Sequence, residues 1–311
     1  MQQQAVDAFF GELAELSIKD LGPANKFLGM RVTYSEDYDF DQELFIEEML
    51  SEHGMVSVDS VRTPIGAESN EIDEASDELL PTSGGDGVVT VRMFQSLVGS
   101  VMWVARCTRP DIAYTVHKAS RRTHSPTMSN WKLGKRVARY LAGTKSLRLS
   151  MKGQGALEEP LKVIAYSDAD FAADKADKKS VTGGLLMVDG MTCRGSARSR
   201  PASASPPWRL STLWPRLWLR SCWACASCWA SWASRMPARC RCASTIKRRS
   251  SSCSSSKAIP IDVRIKFVSA LAKRGVLKAE FLESEEIPAD VLTKALQAPS
   301  LADLRVIVGL H

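Results

Sequence analysis

Asp168 and Asp170 are the first residues whose type and spacing could do chemistry. They follow the strand expected over Leu161-Lys162-Val163-Ile164-Ala165-Tyr166, which ends in the polar residues Ser167-Asp168-Ala169-Asp170. Two positions apart on such a strand, both side chains point to the same side. Paired carboxylates there can hold divalent cations that activate water and stabilise a leaving oxygen in phosphodiester chemistry. A solvated strand-to-loop turn is the alternative reading of the same spacing. Asp37, Asp39, Asp41 and Glu48 match the ligand offsets of a calcium loop, but Gln42 stands where that loop's sharp turn needs glycine. Cys222, Cys225 and Cys228 form C-x2-C-x2-C, with Cys240 and Cys242 beyond, the look of an iron–sulfur or zinc site without a nearby histidine. His53, His117, His124 and His311 are scattered and make no ligand set.

The elements that must position these residues divide the 311-residue chain into two units of ordinary domain size. In the first, Phe27 to Tyr34 has strand character, Ser35 to Gln42 reads as an acidic turn, and Leu44 to Leu50 has a one-sided apolar face expected of a helix. Residues 65–90, rich in Gly, Ser, Asp and Glu, read as an exposed linker. An apolar helix is expected from Phe94 to Val104, ending near Thr108-Arg109-Pro110 because the residue before proline avoids helical geometry. A basic helix follows from Trp131 to Leu141. The second unit opens on the strand that carries Asp168, and its far end reads as a strand from Val276 to Phe281 and a helix from Ala289 to Leu296.

Charge is distributed unevenly. Between Gly190 and Asp262 there are eleven Arg, two Lys and no acidic residue, so this stretch carries +13 and the remainder −7 against a whole-chain +6. Seven of the eight Cys and six of the eight Trp lie between Cys193 and Cys253. No run of 18 apolar residues occurs and Met1 opens a polar stretch, so an intracellular chain without a membrane segment is expected. Nothing marks it as secreted, which argues against a disulfide framework.

Tyr166-Ser167-Asp168-Ala169-Asp170-Phe171, followed by Lys178-Lys179-Ser180-Val181-Thr182-Gly183, resembles the start of the ribonuclease H domain in copia-type retrotransposon polyproteins. The upstream unit resembles the end of the matching reverse transcriptase. It does so through Lys19-Asp20-Leu21-Gly22, Phe27-Leu28-Gly29, Thr63-Pro64, Ser96-Leu97-Val98-Gly99-Ser100, Cys107 to Tyr114 and Arg139 to Thr144. Ile261-Asp262-Val263-Arg264 and Ala289-Asp290-Val291-Leu292-Thr293-Lys294 resemble the domain's last segment. The resemblance implies that Asp168 and Asp290 are the first and last metal-binding carboxylates, with Mg²⁺ as cofactor and an RNA/DNA hybrid as partner. It also exposes two gaps: the polymerase YxDD metal motif is absent, and so are the catalytic Glu and central Asp of the ribonuclease H domain.

Residues 194–256 read as the right gene in the wrong frame. Taking each codon's third base with the next two, Ser205 to Thr212 permits Ser-Thr-Met-Glu-Ala-Glu-Tyr, the family's word at its catalytic Glu. In the same frame, Ser244 to Arg248 permits Asp-Asn-Gln-Ala, the word at the central Asp. Shifted leucine codons also yield Cys and Trp, which accounts for the cysteine cluster without a metal.

The expected fold is therefore α/β. Residues 1–150 would be the remnant of the reverse transcriptase, and 155–311 a ribonuclease H-like mixed-sheet domain interrupted at 194–256 by an irregular, loosely helical stretch. The function expected is that of a retrotransposon-derived polyprotein fragment, inactive as translated. The alternative is a non-catalytic basic nucleic-acid-binding or Cys-rich protein whose Arg/Cys/Trp segment is genuine.

Overall fold

Leu28 and Gly29, both left-handed at φ 49° and 79°, turn the chain between β1 (Lys26–Phe27) and β2 (Met30–Tyr34). This is the conformation a two-residue hairpin needs to match strand twist. In this computed structural model the described residues are 22–35, 37–66, 77–85, 87–152, 162–170, 180–200, 240–244, 277–280 and 287–311, with a few isolated positions besides. The acidic run expected as a turn is instead strand β3 (Tyr38–Asp41), antiparallel to β2, with β4 (Leu149–Met151) on its other side. Its charge is tolerated because Arg31 Nε donates to Asp41 Oδ2 at 2.9 Å and Arg31 Nη2 to Glu43 Oε2 at 2.8 Å. Asp37, Asp39 and Asp41 thus belong to a sheet and its margin, not to a calcium loop.

Among the described residues, four α-helices follow in the first unit, α1 (Glu43–Glu52), α2 (Val91–Cys107), α3 (Ala113–Ser120) and α4 (Met128–Ala142). Phe94, Leu97, Val98, Val101 and Val104 recur at helical spacing and form the buried face of α2. Thr90 caps it, its side chain accepting from the Met93 amide. Thr127 and Asn130 make a reciprocal capping box at the start of α4. The described part of the expected exposed linker packs against the unit. Leu80 is buried and its amide donates to the Pro126 carbonyl at 2.8 Å, while 67–76 lie outside the described residues.

The second sheet is built from β5 (Val163–Asp170), β6 (Ser180–Val188), β7 (Met191–Arg200), β8 (Cys240–Ser244) and β9 (Leu277–Glu280). Its order is β7-β6-β5-β8-β9. The first three strands are antiparallel, β8 runs parallel to β5, and β9 runs parallel to β8 at the edge. Asp189 and Gly190, at φ 48° and 85°, turn β6 into β7. The irregular structure expected over 194–256 does not hold at 194–200 or 240–244, which are strand. Strand pairing uses backbone groups that every non-proline residue carries, so it does not require a hydrophobic period in the side chains. The rest of that segment, with Cys222, Cys225 and Cys228, lies outside the described residues.

The helix expected over 289–296 is a short 3-10 turn, Pro288–Leu292, with proline in its first turn. Helix α5 (Ala298–Ile307) comes after it. Residues 298–311, grouped by sequence with the second unit, attach to the first. Leu310 bridges Leu149, and Arg148 and His311 exchange backbone hydrogen bonds of 2.9 and 3.0 Å. Leu301, Leu304 and Val308 join one continuous core with Phe94, Tyr140, Leu185 and Leu292. Among the described residues no helix is long and apolar enough to cross a membrane.

Candidate active site

Asp168 sits near the end of β5, paired across the antiparallel register with Gly183 of β6. That glycine decides what can approach. A Cβ built on it would lie 2.6 Å from Thr293 Cγ2 and 2.9 Å from Leu292 Cβ, closer than non-bonded carbons tolerate. Its bare backbone lets the Pro288–Leu292 turn rest on the sheet, and the turn carries Asp290 with it. Asp168 and Asp290 are 5% and 8% exposed.

Two side chains converge on the two carboxylates. Thr293 Oγ1 donates to Asp168 Oδ2 at 2.6 Å. Lys294 Nζ donates to Asp290 Oδ2 at 2.6 Å and stands 3.8 Å from Asp168 Oδ2, so one ammonium reaches both acids. Burial pushes the Asp290 carboxyl up to about 6; the neighbouring Asp168 acts in the same direction, and Lys294 opposes them. Asp290 Oδ1 is buried with no hydrogen-bond partner.

This donor set fits one divalent cation in part. An orphaned, buried carboxylate oxygen beside a second carboxylate is what a hard cation seeks. Among the described residues no group of three or more His, Cys, Asp or Glu is gathered that could hold a metal. Among the described residues the geometry therefore offers two carboxylates from separate elements, not the fuller set a pair of metals needs. The Asp170 side chain, the sequence partner of Asp168, lies outside the described residues.

Sequence reading identified Asp168 and Asp290 but not the roles of Gly183, Thr293 and Lys294. A signal was present: Asp290 and Lys294 stand four apart, a spacing at which opposite charges meet on a helical turn.

A second buried charge cluster lies in the first unit. Arg109 Nε and Nη2 donate to the two oxygens of Asp111 at 2.9 and 2.7 Å, and Tyr140 Oη donates to Asp111 Oδ2 at 2.6 Å. Arg109 also reaches the Thr144 carbonyl and hydroxyl, each at 2.8 Å, and Arg305 of α5 donates to Tyr140 Oη at 3.3 Å. Burial alone would push the Asp111 carboxyl up; the Arg109 charge and hydrogen bonds outweigh it and hold the group below the usual carboxylate range. With its acceptors and donors matched, this cluster ties α4 to the C-terminal helix.

No family model matches the chain. It is similar to the retrovirus-related Pol polyprotein of transposon TNT 1-94 from Nicotiana tabacum, 29% identical across 97% of this chain and 23% of that polyprotein. It is likewise similar to the Pol polyprotein of transposon RE1 from Arabidopsis thaliana, 31% identical across 55% of this chain and 11% of the polyprotein. An uncharacterized mitochondrial protein of Arabidopsis thaliana is 30% identical across 60% of this chain and 71% of its own length. The chain thus spans less than a quarter of either transposon polyprotein.

Proposed function

We propose that this chain, a fragment of the copia-type retrotransposon Pol family, pairs the end of a reverse transcriptase with a ribonuclease H-like unit. That unit descends from an enzyme cutting RNA in RNA/DNA hybrids and is inactive as translated. The observation that carries this reading is the meeting of Asp168 and Asp290 from elements far apart in sequence, both on one ammonium. The five-stranded sheet, with three antiparallel strands and two parallel ones, is an architecture consistent with such a unit.

Asp168 and Asp290 would hold Mg²⁺, which when bound supplies activation of water and charge stabilisation at the leaving oxygen. Thr293 fixes the Asp168 carboxylate in place through its hydroxyl. Gly183 keeps the floor of the site open so that the second carboxylate can approach. Two carboxylates alone leave the cation under-held, and the missing Glu and central Asp are the cause of inactivity.

The shifted frame over 194–256 accounts for both missing acids. Similarity to one tobacco polyprotein over 97% of the chain supports flanks that belong to one gene in one order. In the β5–β8 register, Ser244 pairs with Ser167, one residue before Asp168. The shifted codon permitting the central Asp straddles Ser244 and Thr245, so that acid would stand at the end of β8, next to Asp168's position on β5.

Incubating the purified chain with Mg²⁺ or Mn²⁺ and a labelled RNA/DNA hybrid tests the proposal. No cleavage is expected, and a chain with the frame restored through 194–256 should cleave, losing activity in Asp168→Asn. Cleavage by the present chain that disappears in Asp168→Asn would overturn it.

A further inference from the structure

We propose that Lys294 is a built-in counter-cation of the Asp168–Asp290 pair, occupying the charge position of a divalent metal and competing with it. The inference rests on reading these two acids as a metal-binding pair, and it concerns what regulates that pair. Two buried carboxylates held close repel one another unless a cation lies between them. Lys294 Nζ supplies it, 2.6 Å from Asp290 Oδ2 and 3.8 Å from Asp168 Oδ2. These are the only ion pairs made by either carboxylate among the described residues.

The exchange is built into the geometry. Lys294 follows the Pro288–Leu292 turn, its side chain is about a third exposed, and its four-carbon stem can swing the ammonium into water without moving the backbone. The carboxylates cannot follow, because Thr293 holds Asp168 and Gly183 seats the turn. Asp290 Oδ1, buried and without a partner, remains as an acceptor that the ammonium does not satisfy. A divalent cation could engage that oxygen and neutralise both acids, whereas the single charge of Lys294 leaves the trio at −1. Metal entry therefore requires the ammonium to leave. Lys294 keeps the pair assembled while no metal is bound and sets the concentration at which metal takes over.

Two measurements on the full chain test this. In Mn²⁺ titrations followed by calorimetry, Lys294→Met, which keeps the stem and removes the charge, should bind Mn²⁺ about tenfold or more tightly than the unsubstituted chain. Lys294→Arg should not gain affinity, and Asp168→Asn added to Lys294→Met should abolish the gain. Unchanged or weaker Mn²⁺ binding in Lys294→Met would overturn the proposal. The second measurement needs no substitution: Mg²⁺ should raise the rate at which Lys294 reacts with an amine-selective reagent, relative to exposed lysines such as Lys152. A rate that Mg²⁺ leaves unchanged or lowers would also overturn it. Neither readout depends on nuclease activity. Failure of the frame-restored chain to cleave a hybrid would sink the nuclease reading alone, and unmoved metal affinity would sink the Lys294 proposal alone.

Discussion

Gly183 lies opposite Asp168 in the β5–β6 pairing, and its missing side chain is the space into which Thr293 and Leu292 descend. The site is assembled by an absence: the turn bearing the second carboxylate reaches the first only because nothing projects from β6 there.

Gly183→Ala should therefore lift the turn and separate the carboxylates. The added methyl meets Thr293, Leu292 and the Ala289 carbonyl, none of which is the free end of a long side chain. Overpacking of this kind costs about 1–3 kcal/mol. Urea denaturation should register that loss, and amide exchange at Thr293 and Lys294 should quicken. Unchanged stability would mean that the turn does not rest on β6 as described.

The Arg109–Asp111–Tyr140 cluster predicts a graded series. Asp111→Ala leaves the Arg109 charge buried without its partner, and stability should fall by about 3–5 kcal/mol. Tyr140→Phe removes one hydroxyl donor and should cost less, about 1–2 kcal/mol. Equilibrium unfolding of both variants checks the order. Equal losses would place the hydroxyl, not the ion pair, at the centre of the cluster.

Stability should also depend on pH through His117. Burial pushes its imidazole down to about 4, with Arg121 acting the same way. The unfolded chain then binds the proton more readily, so the folded state is at full stability above about pH 6.5. It loses stability as pH falls from there towards 4, by an upper bound of roughly 3 kcal/mol. Melting temperatures across that interval should drop less steeply in His117→Gln than in the unsubstituted chain. An identical slope would exclude His117 as the source.

Removing residues 298–311 should loosen the first unit rather than the second. The segment contributes Leu301, Leu304, Val308 and Leu310 to the core and pairs with Arg148 to Ser150 through its backbone. Each such buried side chain contributes roughly 1.5–3 kcal/mol. Hydrogen exchange in β4 and α4 should rise in the truncated chain; protection equal to the full chain would contradict the attachment.

Much of this architecture was legible because burial imposes a period. Phe94 to Val104 and Trp131 to Leu141 announced α2 and α4, and capping extended each by a few residues, through Thr90 and Thr127. The Asp168 strand was read a little short, since Ser167 to Asp170 continue it. Strand β3 was misread because Tyr38 to Asp41 is acidic, and its compensation by Arg31 is a tertiary fact. Ala289 to Leu296 reads as a helix, whereas the chain there makes only the 3-10 turn Pro288–Leu292, with proline in its first turn. The four-residue spacing of Lys294 from Asp290 is legible in sequence, but only the meeting of two remote acids gives its charge a purpose at the site.

The nucleotide sequence through codons 194–256 tests the central claim most directly. Read in the shifted frame, it should run without stops and encode the Glu-bearing word at 205–212 and the Asp-bearing word at 244–248. Stops in that frame, or the absence of both acids from it, would contradict the account and leave the basic segment as genuine sequence.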